Sequence, residues 1–532
     1  MKKRSFVINA AVMTATSLLL SSLAMVFRVY QSNKIGAEGI GLFQLVLSVY
    51  FLFTNFAISG LNFAVTRLVS EKMAGGNRYA VKRIMRKCFA LCLTFGLATG
   101  VLLFLFAPPI GTFWLGDERT VLSLRVLAVG LPFFSVSCCI RGYFLAARNS
   151  LKPSSGQVFE QLVNIGVVMG TIAFFLSKGL EYACCGIAVG MTAGEICACL
   201  YIYVVYRLEM RKKFRAEQGA GAPLRKVLGI ALPISASSCL RSALSAVENV
   251  LIPAGLKKHG ASYESSLSSY GMLKGMVMPV LTFPAAFLSA FSMLLIPEMS
   301  EARAKGNHKQ IGYLAGRVFH TALLFAIPVT GLFLFFAEDF GMALYQSADV
   351  GVYIRLLAPL IPFMYLDTIV DAMLKGLDEQ VYYMKVNAVD STTRVVLIFV
   401  LLPLLGMKGY LMVTFFSTLF NSSLSIFRLM RVGSLKLKVA DRLIKPALSI
   451  AAACLTTGFL LSSGSAAAFT PGLRVACEIG CCAAFYLFFL RLCRGLKRED
   501  LDWVRRIFHR SGKPESSLQV MTTRKTGGMN EP

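Results

Sequence analysis

Arg241 and Glu248 stand seven residues apart in a stretch otherwise made of apolar and small residues. Two turns of helix bring positions seven apart onto one face. Ser242, Ser245 and Asn249 make that face polar. An ionised side chain at the centre of a bilayer costs at least about 3 kcal/mol, so a charge kept in an apolar segment implies a wet cavity, a partner or an ion path. The same pattern recurs at Arg28, at Arg67 with Glu71, at Glu160 beside Gln161, at Glu195, and at Lys274 between Gly271 and Gly275. Asp367, Asp371 and Lys375 follow one another at helical spacing, as do Asp390 and Arg394. Arg28, Arg67, Arg241 and Lys274, with Asn249 as a neutral partner, are the candidate substrate-binding residues, because the guanidinium fork suits phosphate or pyrophosphate. Glu71, Glu160, Glu248, Asp367 and Asp371 are candidates for binding a coupling Na⁺ or H⁺, or for balancing the basic residues. Plainer readings stand beside these: a local Arg67–Glu71 salt bridge at a helix end, and an internal Asp371–Lys375 pair.

The elements that must position these residues are membrane spans. Of 532 residues 56% are hydrophobic and only 16% charged, too few charges to cover a soluble fold. The composition excludes a water-soluble enzyme and points to an all-α polytopic membrane protein. Runs of about 20 apolar residues lie near 6–27, 41–63, 88–109, 121–146, 156–177, 182–206, 227–252, 269–296, 312–336, 352–374, 383–404, 409–427, 443–463 and 473–492. With the N-terminus inside, 42 of the 55 basic residues fall in cytoplasmic segments, 8 in the opposite loops and 5 within spans. That split obeys the positive-inside rule and puts both termini in the cytoplasm. The formal net charge of +27 therefore reflects cytoplasmic loops, not nucleic-acid binding.

The run Val69–Asn77 recurs as Met299–Asn307, an offset of 230. At that offset Phe89 meets Phe319, Arg125 meets Arg355, Pro132-Phe133 meets Pro362-Phe363, and Glu160 meets Asp390. The repeat maps six spans onto six, so both halves face the same way about an axis along the membrane normal. The expected organisation is a six-helix bundle over 1–206, a basic linker over 207–226, a second bundle over 227–430, two extra spans over 431–492 and a basic tail over 493–532. Two parallel bundles flanking a cavity are the design of an alternating-access transporter. Pro279, Pro284, Pro359 and Pro362 mark expected helix breaks.

Other chemistry lacks its motif. There is no GxxxxGK[ST] phosphate loop, no HExxH and no nucleophile elbow. The 14 Cys show no CxxC pair and read as small packing residues, and the 4 His form no ligand cluster. No cofactor is expected. The stretch Leu501–Phe508 is expected to lie on the anionic inner leaflet.

The chain resembles the multidrug/oligosaccharidyl-lipid/polysaccharide exporter superfamily, and within it the stage V sporulation protein B group of polysaccharide-biosynthesis membrane proteins. The residues that carry the resemblance are Arg28 with Gly36-Ala37-Glu38-Gly39-Ile40-Gly41-Leu42-Phe43-Gln44, and Thr66-Arg67-Leu68-Val69-Ser70-Glu71. In the second half they are Tyr270-Gly271-Met272-Leu273-Lys274-Gly275-Met276 through Pro279 and Pro284 to Ile296-Pro297-Glu298-Met299-Ser300-Glu301-Ala302. The resemblance covers about residues 5–492. It implies fourteen spans and a flippase for an undecaprenyl-pyrophosphate-linked sugar or lipid II-like precursor, with Arg28, Arg67 and Arg241 facing the cavity. It also implies membrane lipids and cell-wall synthesis proteins as partners, and a role in spore cortex synthesis. Three rivals are a cation-coupled multidrug exporter of small amphiphiles, a scaffold for cell-wall enzymes, and a glycosyltransferase or ligase using outer-loop carboxylates such as Glu264, Glu338 and Asp339.

Overall fold

The computed structural model describes residues 2–58, 60–74, 78–213, 224–433, 439–462 and 470–493. Every regular element among them is helical. Hydrocarbon offers the backbone no hydrogen-bond partner, so each segment must satisfy its own amides. The expected inner-leaflet stretch at 501–508, half of the basic linker and nearly all of the tail lie outside the described residues.

Helix α1 (Lys2–Ile58) has 57 residues. At about 1.5 Å per residue a straight run would reach ~85 Å, far beyond a hydrocarbon core of about 30 Å. It is in fact two helices joined at Gly36, whose φ of 70° favours a residue without Cβ. The first two expected spans therefore adjoin directly, where the sequence suggested a connection over 28–40. Helix α2 (Leu61–Ala74) follows a break at Gly60 and carries Arg67 and Glu71. Next come α3 (Arg78–Pro109), α4 (Val121–Ala146), α5 (Leu151–Leu176) and α6 (Leu180–Lys213). Pro132 sits inside α4 without dividing it.

Helix α7 (Leu224–Lys258) opens the second half. The single span expected at 269–296 is instead three helices: α8 (Tyr263–Gly271), α9 (Met278–Thr282) and α10 (Ala285–Ala304), with a π turn over Met272–Val277. Pro279 and Pro284 remove two ladder donors and account for the later breaks. Helix α11 (His308–Phe335) begins 230 residues after α3, in register with the repeat. The short α12 (Ala337–Tyr345) occupies what the sequence presented as a loop. The expected tenth span divides into α13 (Ala348–Leu357) and α14 (Ile361–Gly376) around a 3₁₀ turn holding Pro359. Helix α15 (Gln380–Gly433) again joins two helices at a glycine, Gly406 with φ 57°. Helices α16 (Val439–Ser462) and α17 (Pro471–Leu492) complete the chain.

Ten stretches among the described residues are long and apolar enough to cross a membrane. Two of them, Thr14–Met73 and Gln380–Val432, hold 60 and 53 residues and each contains a glycine hinge. The chain is an all-α, multi-pass membrane protein.

Helix α1 is the hub. It packs on α3 to α6 and also on α7, α8, α10 and α12, while α2 reaches α7, so the earlier and later helices meet chiefly through α1 and α2. The tightest crossing pairs α1 with α8. A Cβ on Gly271 would land on the Ala37 carbonyl oxygen, and one on Gly41 would land on the Leu267 carbonyl. Over-packing of this kind costs about 1–3 kcal/mol. Gly271→Ala is expected to lower the unfolding midpoint of the detergent-purified protein. Gly458→Ala, which faces open space on α16, is expected to leave it unchanged or raise it slightly. Equal midpoints for Gly271→Ala and wild type would remove the argument for a backbone contact here.

Candidate functional site

The densest charge cluster lies in the second half. Lys274, presented by the π turn, donates from Nζ to Glu248 Oε1 at 2.9 Å. Arg394 Nε lies 3.2 Å from Glu248 Oε2, and its Nη2 lies 3.5 Å from Asp390 Oδ2. Asp390 Oδ1 accepts from Ser417 Oγ at 2.7 Å. Glu248 and Asp390 are buried. The cluster joins α7, the π turn and both arms of α15 about the Gly406 hinge. Its two acids and two bases cancel, as low-dielectric surroundings demand. Lys274 is therefore committed to Glu248, and Arg394 to two carboxylates.

The first half holds a looser arrangement. Arg141 on α4 pairs with Glu160 on α5 at 2.5 Å. The Tyr50 hydroxyl on α1 donates to Glu195 on α6. Glu195 is buried, and its Oε2 has no hydrogen-bond partner; Asn164 Oδ1 is also unpartnered. Gly130 gives Glu195 its room, since a Cβ there would come within 2.5 Å of Oε2.

On α14 Asp371 bonds Lys375 at 2.6 Å, the plain pairing anticipated from spacing. One oxygen each of Asp367 and Asp371 remains buried and unpartnered. Arg67 and Glu71 are both exposed on α2, and no Arg67–Glu71 ion pair forms. Arg28, Arg67 and Arg241 share a distinct condition. Their side chains are exposed, and among the described residues none forms an ion pair with a carboxylate, although Asp371 lies near enough to Arg241 to feel its charge. They sit on α1, α2 and α7, and α7 packs on both others. Asn249 is half-buried on α7, and Ser242 beside Arg241 accepts from Asn55 Nδ2 of α1 at 2.7 Å.

Sequence reasoning missed Arg141, Tyr50 and Ser417. The signal for Arg141 is the short α4–α5 connection, which lays the end of one helix against the start of the next. The loop carboxylates that a ligase would need are engaged or surface-borne. Glu338 pairs with Arg355 at 3.0 Å, Asp339 with Arg474 at 3.2 Å, and Glu264 is exposed in the first turn of α8. No group of three metal-ligating side chains occurs among the described residues.

A bundle of membrane-length helices that keeps most buried charges neutralised defines a multi-pass membrane protein. The sequence pattern of the polysaccharide biosynthesis protein family matches residues 6–303, and the chain belongs to that family. It is 26% identical over 511 residues to stage V sporulation protein B of Bacillus subtilis (strain 168), covering 94% of this chain and 98% of that one. It is 24% identical over 440 residues to the lipid II flippase MurJ of the same organism, covering 76% and 78%. In three dimensions it is similar to lipid II flippase MurJ in an inward closed conformation, with a TM-score of 0.65, 14% identity, and 91% and 99% of the two chains covered.

Removing the carboxylate from the neutral cluster strands its cations. Glu248→Gln is expected to destabilise the protein by about 3–5 kcal/mol. Glu248→Gln combined with Lys274→Gln is expected to recover part of that loss, because Arg394 keeps Asp390. Unfolding in detergent, read as a double-mutant cycle, measures the coupling; additive losses would mean that Lys274 and Glu248 do not depend on each other.

Proposed function

We propose that the protein is a flippase that carries the polar head of an anionic lipid-linked glycan, a lipid II-like peptidoglycan precursor or an undecaprenyl-pyrophosphate-linked sugar, across the cytoplasmic membrane by alternating access. The observation that carries this reading is the division of intramembrane cations into two kinds. Lys274 and Arg394 are neutralised by Glu248 and Asp390, whereas among the described residues Arg28, Arg67 and Arg241 form no ion pair with a carboxylate and stand on the helices through which the two halves touch. A pyrophosphate between those helices would supply the missing negative charge through bidentate hydrogen bonds. The prenyl tail would stay in lipid, so only the head needs shelter.

Family membership and the likeness to stage V sporulation protein B and to a lipid II flippase support the same reading. They favour transport over enzymatic chemistry and are consistent with a role in spore cortex synthesis beside cell-wall synthesis proteins. The proposed architecture is fourteen crossings: two parallel six-helix bundles, each opening with a long hinged or diluted helix, plus α16 and α17 as an added pair, with both termini in the cytoplasm. The buried, unpartnered oxygens of Asp367 and Asp371 suit a coupling Na⁺ or H⁺, while Glu160 and Glu248 act as charge balance.

The test is transport by purified protein in proteoliposomes holding a fluorescent lipid II analogue, with a cationic dye as the competing cargo. Arg28→Gln and Arg241→Gln are each expected to slow head-group translocation at least about tenfold, the effect of one lost charge-assisted contact worth about 1.4 kcal/mol. Lysine at either position is expected to restore only part, since a point charge does not replace the fork. Dye transport without lipid movement, or full activity in both glutamine variants, would sink the proposal.

A further inference from the structure

Between α3, α4 and α6 lies a cavity of about 560 Å³ lined by apolar side chains, among them Leu93, Leu97, Val101, Val129 and Phe133. Helix α3 starts at the basic stretch from Arg78, so its Phe104–Leu105 end lies on the opposite side of the membrane. At that end Arg125 of α4 places its guanidinium over the Phe104 ring, 5.5 Å from the centroid. Arg125 is exposed and meets no carboxylate among the described residues.

The 230-residue register supplies the contrast. The counterpart of Arg125 is Arg355, which bonds the Leu334 carbonyl at 3.1 Å and Glu338 at 3.0 Å. The positions matching Leu334 and Glu338 are Phe104 and Pro108, so the first half keeps the cation and lacks the acid. Cover differs too. Leu93 and Leu97 are 44% and 47% exposed, whereas their counterparts Leu323 and Ile327 are both 7% exposed. Helix α16 packs on α11, and Ile450 presses on Gly331, the counterpart of exposed Val101. Among the described residues no added helix covers the first half in this way.

We propose that this groove is a binding site for an anionic glycerophospholipid of the outer leaflet, one acyl chain along α3 and the phosphate on Arg125. Leu93 to Leu105 spans about 18 Å at 1.5 Å per residue, close to the depth of one leaflet, half of about 30 Å. That length fits an acyl chain and is short for a polyprenyl tail. A lone guanidinium at an apolar groove's mouth attracts a net-negative head group, while the ammonium of a zwitterionic head would repel it. The cation–π contact orients the guanidinium and leaves its N–H donors for the phosphate.

The inference rests on the repeat register and is independent of what the protein transports. Its test is native mass spectrometry of the full-length protein in mild detergent, titrated with phosphatidylglycerol or phosphatidylethanolamine of identical chains. Wild type is expected to retain phosphatidylglycerol about tenfold better. Arg125→Gln is expected to abolish that preference, and Arg355→Gln to leave it intact. Val101→Trp, which fills the groove, is expected to reduce retention of both lipids. Equal retention of the two lipids by wild type, or an unchanged preference in Arg125→Gln, would overturn the assignment. So would undecaprenyl phosphate displacing phosphatidylglycerol at an equal or lower concentration. Disulfide trapping of a Val129→Cys variant to a second copy or to another membrane protein in intact membranes would show that a helix, not a lipid, occupies the groove.

Discussion

A charge taken out of water must find its opposite within hydrogen-bonding distance, and Glu248 is where this protein meets that condition most completely. Lys274 and Arg394 close on its two oxygens, and Arg394 reaches on to Asp390. Much of the second half follows from the arrangement. The π turn is tolerated because it delivers Lys274, and the two arms of α15 are held together across Gly406 by Asp390 and Ser417. Each link is individually costly to desolvate, but together they sum to zero charge. The first half relies on apolar packing around α1 with smaller polar groups, Tyr50–Glu195, Arg141–Glu160, Lys152–Glu209 and Arg119 with Asp117 and Glu38.

Much of this was legible in the residues, and what was not has a physical reason. Apolar run length revealed the membrane class and most helix cores. The repeat placed the start of α11 against that of α3, because both follow the same short polar run. Spacing alone identified Asp371–Lys375, since positions four apart on a helix are neighbours whatever surrounds them. The same rule was misleading for Arg67 and Glu71, where exposure lets each side chain turn elsewhere. Lys274 with Glu248 could not be read, because a pair 26 residues apart depends on how α8 and the π turn pack on α7. The direct joint at Gly36 escaped because a single residue in the left-handed region replaces a loop, and one glycine among several has no signature of its own.

The division between neutralised and uncommitted cations also separates two demands on the same bilayer. Internally paired charges give the scaffold a fixed shape. Exposed arginines on α1, α2 and α7 cost stability unless water or an anion reaches them. They stand where the earlier and later helices meet, apart from the ion pairs that fix the second half.

The crossing of α1 and α8 is made by backbones, with Gly41 and Gly271 lying against the carbonyls of Leu267 and Ala37. Amides on both sides already satisfy themselves within their own helices, so parting the seam forfeits dispersion contacts and breaks no ion pair. Ionic strength would then have little hold over that movement. Acyl-chain length and lateral tension in the surrounding bilayer would govern it instead, making membrane thickness the natural control on how readily this end of the molecule separates.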